Sequence, residues 1–183
     1  LAGDGCAASC VLEPAGPEEN CPGEPLALTQ VGPDWEGSVY SGTFNLASNL
    51  TATGCTSSGR DAVFSVVAPM DGVLQASLPQ AAFNATLYAR TDCATTASQV
   101  VCANDNASNG LETIAFPVVM GATYFIVVDT TTSSIAPGPF LLDVKVVPPG
   151  CGDGFVTGAE ECDDANATAG DGCAPDCGLE TLV

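Results

Sequence analysis

A chain of 183 residues supports one ordinary domain with a small appendage and excludes two large ones. With 46% hydrophobic and 14% charged residues the chain folds, despite 20 Gly and 13 Pro. Twenty-two acids against three bases leave a net charge of −19, and histidine is absent, which excludes nucleic-acid binding, imidazole-based triads and His-ligated zinc.

The only bases are Arg60, Arg90 and Lys145, and no Gly-rich phosphate loop occurs, so an anionic substrate or nucleotide would find little counter-charge. Ten cysteines without a C-x-x-C pair predict disulfides and an oxidising compartment, hence an extracellular or cell-surface location. No apolar run reaches the about 18 residues that span a bilayer. No basic and apolar leader opens the chain, which reads as a mature fragment.

Residues 1–14, LAGDGCAASCVLEP, recur as residues 168–181, TAGDGCAPDCGLET, at an offset of 167. Two cysteines, an Asp and a Glu keep register. The first copy begins in mid-motif, whereas the second is preceded by its own first half, from Cys151 to Thr168. Two organisations fit: a tandem array in which this unit is one slice, or a sandwich flanked by two such modules. The expected divisions are 1–14, the C-terminal half of a cysteine-rich repeat; 15–149, a β-sandwich; and 150–183, a complete repeat.

Across residues 39–147 the hydrophobic period is two, the mark of strands with one buried face. Strands are predicted at 39–46, 62–67, 73–78, 83–90, 99–103, 111–116, 124–128 and 140–147, separated by turn signals such as Asp71-Gly72, Asn109-Gly110 and Pro137-Gly138. Phe140, Leu142, Val144 and Val146 form one face of the last strand, and Tyr124, Ile126 and Val128 one face of the strand before it. Short connections without amphipathic helices predict an all-β fold: an antiparallel, jelly-roll-like β-sandwich with small disulfide-rich, loop-dominated modules at both ends.

The run Cys55, Arg60-Asp61-Ala62-Val63-Phe64, Ala68-Pro69, Asp71-Gly72, Ala85-Thr86-Leu87-Tyr88, Cys93, Cys102, Asn104-Asp105, Gly121, Tyr124, Val127-Val128-Asp129 and Gly138-Pro139-Phe140 resembles the bacterial pre-peptidase C-terminal domain. That resemblance, covering residues 21–147, implies a secreted or surface-borne, non-catalytic jelly-roll module. The segment Cys151-Gly152-Asp153-Gly154, Gly158, Glu161-Cys162-Asp163-Asp164, Asn166, Gly170-Asp171-Gly172-Cys173, Cys177 and Glu180 resembles the cysteine-rich repeat of secreted myxobacterial proteins, itself similar to Notch-type repeats. Ala165 stands where that family usually carries Gly; a positive φ there would strain the turn.

Residues 150–183 carry eight acids and no base. Hard oxygen donors on a Gly-punctuated loop suit Ca²⁺, which takes about 6 to 8 oxygens and would relieve the repulsion. The expected ligands are Asp153, Glu161, Asp163, Asp164, Asn166 and Asp171, with Asp4 as the counterpart of Asp171 in the first copy. An EF-hand does not fit, because Ala169 and Pro175 replace its Gly and closing Glu. Zinc on Cys151, Cys162, Cys173 and Cys177 lacks paired knuckles.

Cys93 with Cys102, and Cys21 with Cys55, are plausible disulfides in the sandwich. For the repeats two options stand: Cys6 bonds Cys10, with Cys173–Cys177 and Cys151–Cys162 by symmetry, or Cys6 and Cys10 take partners from a neighbour. Asp61 and the Asp105-Asn106 pair mark a weaker second cation site, for which a turn-forming cluster is the plainer reading. Trp35 reads as a core-edge residue rather than a sugar platform. Asn49, Asn84, Asn106 and Asn166 head glycosylation triplets.

These features predict a non-enzymatic extracellular structural protein: a disulfide- and calcium-stiffened unit of a surface or matrix filament whose partners are copies of itself, head to tail. A carbohydrate- or matrix-binding adhesion module is the alternative. An enzyme has least support, with one Lys and no nucleophile elbow.

Overall fold

The structure, a computed structural model, describes residues 20–43, 46–47, 50–104, 111–136 and 138–180. Among these residues lie ten strands, β1 (Glu24–Pro25), β2 (Thr29–Val31), β3 (Asp34–Gly42), β4 (Asp61–Val67), β5 (Gly72–Ala81), β6 (Ala85–Arg90), β7 (Gln99–Ala103), β8 (Thr113–Val118), β9 (Thr123–Thr130) and β10 (Pro139–Val147). A 3-10 turn at Thr96–Ser98 is the only helical element among the described residues. The all-β expectation holds. Each of the eight predicted strands is present within a few residues of its expected bounds, and β1, β2 and the first half of β3 are additional.

Two five-stranded sheets form, ordered β1-β4-β9-β6-β7 and β2-β3-β10-β5-β8. Every pairing is antiparallel except β1 with β4, where Glu24 lies beside Phe64. The chain passes from one sheet to the other several times, so both inner faces come from segments distant in sequence.

Period-two patterning places the core. In β10, Phe140, Leu142, Val144 and Val146 are buried while their neighbours are half-buried, as a strand with one inward face requires. Phe140 contacts Phe64 and Phe83 edge-on, at ring separations of 6.1 and 6.2 Å, the arrangement the ring quadrupoles favour. Each such aromatic or aliphatic side chain contributes about 1.5–3 kcal/mol on burial. Trp35 packs half-buried against this core, and Lys145 on β10 bridges Asp34 and Glu36 on either side of it, at 2.6 and 3.4 Å.

Patterning fails in the other sheet. Residues 85–90 of β6 are buried without a break, as are 61–64 of β4 and 127–130 of β9. Residues 50–60 lie across the outer face of these strands and form a second, smaller apolar layer there, with Leu50 and Ala52 against Val63, Tyr88 and Val127. This cap decides where polar side chains of the sheet end up.

Among the described residues, four disulfides link all eight cysteines: Cys21–Cys93, Cys55–Cys102, Cys151–Cys177 and Cys162–Cys173. They indicate an oxidising environment. All four specific pairings expected within the described residues need correction. Cys93 does not bond Cys102, because the β6–β7 register sets Cys102 beside Tyr88, whereas Cys93 lies beyond the strand end at Arg90. A disulfide accepts a Cα separation of roughly 4.4–6.8 Å, which Cys93 has with Cys21 and Cys102 with Cys55, at 5.6 and 6.3 Å. Cys21 does not bond Cys55, because Gln99 exchanges hydrogen bonds with both backbone groups of Thr53 and holds the cap over β7, where Cys55 meets Cys102. Nor are Cys151–Cys162 and Cys173–Cys177 formed; the two halves of the repeat are bonded across to each other. Cys6, Cys10 and Asp4 lie outside the described residues, as do Asn49, Asp105 and Asn106.

Candidate functional site

The acidic residues of the C-terminal repeat come together as acceptors of backbone N–H groups. Asp163 is the hub. Its two oxygens accept from Gly152 (2.8 Å), Asp153 (3.1 Å), Gly154 (2.9 Å) and Ala165 (2.7 Å). These four bonds, that from Ala165 foremost, hold its carboxyl below the usual carboxylate range. Gly152 must be glycine here: its φ is +86°, and a Cβ would lie 2.8 Å from the backbone carbon of Asn166. Ala165 itself takes φ +65°, the strained conformation its place in the motif foreshadows.

The other expected calcium ligands also bond within the repeat. Asp153 accepts from Phe155 N at 2.9 Å, Asp164 from Asn166 N at 3.3 Å, and Glu161 from Leu179 N at 3.3 Å. Asn166 accepts from Thr168 N at 2.7 Å and donates to Asp171 at 3.2 Å. Among the described residues no three acids or thiols converge in a group that could hold a metal ion. Glu180, which its motif position did not mark as a ligand, grips Gly170 N with both oxygens, at 2.8 and 2.7 Å, and Gly172 N at 3.3 Å.

The two halves of the repeat interlock. Glu161 N and Cys162 N in the first half both donate to Cys177 O in the second, at 3.0 and 3.3 Å. Cys177 closes a turn by donating to Ala174 O at 2.8 Å and adopts φ +62°. With Cys151 bonded to Cys177 and Cys162 to Cys173, each half is incomplete without the other.

A second cluster lies under the cap, and of its members sequence reasoning marked only Asp61 as a candidate site residue. Asp61 and Asp129 are partners across β4 and β9, and neither has any exposed surface. Asp61 accepts from Leu50 N at 2.9 Å. Asp129 accepts from the Ser57 hydroxyl at 2.7 Å and from Gly59 N at 3.3 Å, while the Ser57 oxygen accepts from Ala52 N at 2.7 Å. Gly59 can approach because it lacks a Cβ, which would sit 1.7 Å from Thr130 Oγ1. Thr86 Oγ1 donates to Thr56 O.

Burial pushes the Asp129 carboxyl up to about 7, aided by the charge of Asp61 and opposed by the Ser57 and Gly59 bonds. Burial likewise raises the Tyr88 hydroxyl, with Asp129 adding to the effect. That hydroxyl lies near Ser57 without making a hydrogen bond. Arg90, also fully buried, lies over the Tyr88 ring at 5.3 Å and donates to Cys93 O at 2.8 Å and Thr51 O at 2.7 Å. The signal in sequence was an acid at the end of each of two apolar runs, Asp61-Ala-Val-Phe and Val127-Val128-Asp129. Sealed from solvent, these carboxylates fasten the cap.

No family model matches the chain, and no curated protein matches it.

Proposed function

We propose that this chain is a non-enzymatic, extracellular structural unit of a surface or matrix filament, joined head to tail to copies of itself. The observation that carries this reading is the recurrence of residues 1–14 at 168–181, an offset of 167. In the second copy that motif is one half of an interlocked joint. Two disulfides across the joint and two more in the sandwich suit a part that must resist extension outside a cell. The resemblances to a secreted pre-peptidase C-terminal sandwich and to myxobacterial cysteine-rich repeats point the same way.

Calcium belongs to this reading as a counter-ion spread over the exposed acids Asp153, Asp164 and Asp171, which do not converge into one coordination group. There it would neutralise charge at the joint, while the Asp163 hydrogen bonds shape the loop. Electron microscopy of the native material, with and without chelator, tests the proposal. A filament with an axial repeat of one unit is expected, and a freely soluble monomer under both conditions overturns it.

A further inference from the structure

The outer faces of the two sheets differ. Residues 50–60 cover one, whereas the outward side chains midway along β3, β10, β5 and β8 in the other stay exposed or half-buried. Strand register sets these side chains in transverse rows. Ser38, Asp143, Ser77 and Thr113 stand side by side across the four strands, and Glu36, Lys145 and Gln75 form the next row. On the other side Tyr40 pairs with Leu141, and the register of β5 against β10 slips between Leu141 and Asp143, a bulge that bends the sheet.

Short side chains beside a row of longer ones leave a cleft of about 330 Å³, a volume in the range of small-molecule sites. At a strand spacing of about 4.8 Å the short row runs about 14 Å across the sheet. Its polar groups are unspent. The side chains of Ser38, Asp143, Ser77 and Thr113 make no hydrogen bond or ion pair among the described residues, although Asp143 and Ser77 are half-buried. Lys145 is the only base on these strands, and Asp34 and Glu36 engage it at 2.6 and 3.4 Å.

That chemistry selects a ligand. An anion finds no free cation here and is repelled by the −19 charge of the chain. A peptide strand finds no free backbone, because β10 and β5 are each paired on both sides. A cation finds one unpaired carboxylate in this row, with hydroxyls in place of further acids. A vicinal diol fits: its two hydroxyls donate to the two oxygens of Asp143 in charge-assisted bonds, and the Ser and Thr hydroxyls both donate and accept. Tyr40, 50% exposed, lies two residues from Ser38 on the same face of β3, about 7 Å along the strand, and offers its ring to the C–H side of a sugar.

We infer that this cleft binds an uncharged glycan laid across β3, β10, β5 and β8, with one sugar ring seated on Asp143 and the next against Tyr40. The site goes beyond the filament reading and does not depend on it.

Affinity electrophoresis of the full chain tests the site. Native gels carrying dextran, hydroxyethyl cellulose or galactomannan should retard the chain in at least one case, and gels carrying polygalacturonate, an acidic polymer, should not. With the retarding polymer, Asp143→Ala and Tyr40→Ala should each weaken binding about tenfold or more. Ser77→Leu, which fills the cleft floor, should abolish it, with thermal unfolding confirming that each variant is folded.

Short oligosaccharides of the same polymer provide a check that needs no variant. They should shift the amide resonances of Ser38, Asp143 and Thr113 and leave those of Val63 and Tyr88, under the cap, in place. Retardation by none of the three neutral polymers, retardation by polygalacturonate alone, shifts confined to other parts of the chain, or binding that survives in folded Ser77→Leu overturns the inference.

Discussion

Asp61 and Asp129 stand directly opposite each other on β4 and β9, both without solvent exposure, beneath a cap whose backbone N–H groups and Ser57 hydroxyl bond them. Two carboxylates so placed cannot both ionise cheaply, and the proton is held on this pair well above the usual range.

The pH dependence of the sandwich follows. Asp129 ionises near 4 when unfolded, on the order of the ordinary value, and is pushed up to about 7 in the fold. Between those values the folded state binds the extra proton, so stability is full below the lower one and falls as pH rises through about 7. Denaturant melts of the sandwich should show greater stability at acidic than at neutral pH. Asp129→Asn should raise stability in mild alkali and flatten this slope; an unchanged slope in the variant would refute the assignment.

The repeat should respond in the opposite sense. Asp163 is depressed by its N–H donors, so its contribution is present above the unfolded carboxylate value and is lost as pH falls through its own lower value. Asp163→Ala should speed amide exchange at Gly152, Gly154 and Ala165 while leaving β10 protected. Equal protection in variant and parent would show that the loop is held by other means.

Ala165 occupies φ +65° without the freedom of glycine. Ala165→Gly should stabilise the repeat by about 1 kcal/mol, the left-handed penalty less the entropy glycine loses. Slower exchange of the Asn166 and Thr168 amides is the readout, and faster exchange would contradict the strain argument.

Cys55–Cys102 ties the cap to β7 across a separation of 47 residues. On the loop-entropy scale its removal in Cys55→Ser/Cys102→Ser should cost about 4 kcal/mol. Guanidinium unfolding would measure the loss, and a change below about 1 kcal/mol would mean that Arg90 and the buried carboxylates hold the cap unaided.

Much of this was legible from residue order. The alternation in 140–147 named the buried face of β10, because one solvated and one packed side leave a period of two. Ala165 marked its own turn, since only one residue type rests easily at that angle. β6 was readable as a strand but not as a doubly buried one: Thr86, Tyr88 and Arg90 are polar residues, which alternation assigns to water. The acids of the repeat were read as metal ligands because their chemistry suits calcium; that most of them bond neighbouring N–H groups depends on loop angles that spacing does not encode.

Composition and periodicity suffice for class, strand positions and chemical environment, because each is a local or averaged property of the chain. Which cysteine meets which, which acids lose their water, and how the two halves of the repeat lock are consequences of segments far apart in sequence arriving at one place. The 50–60 cap illustrates the reason: its residues look like an ordinary polar loop, and only the closed sheet beneath gives them carboxylates, a guanidinium and a disulfide partner to hold.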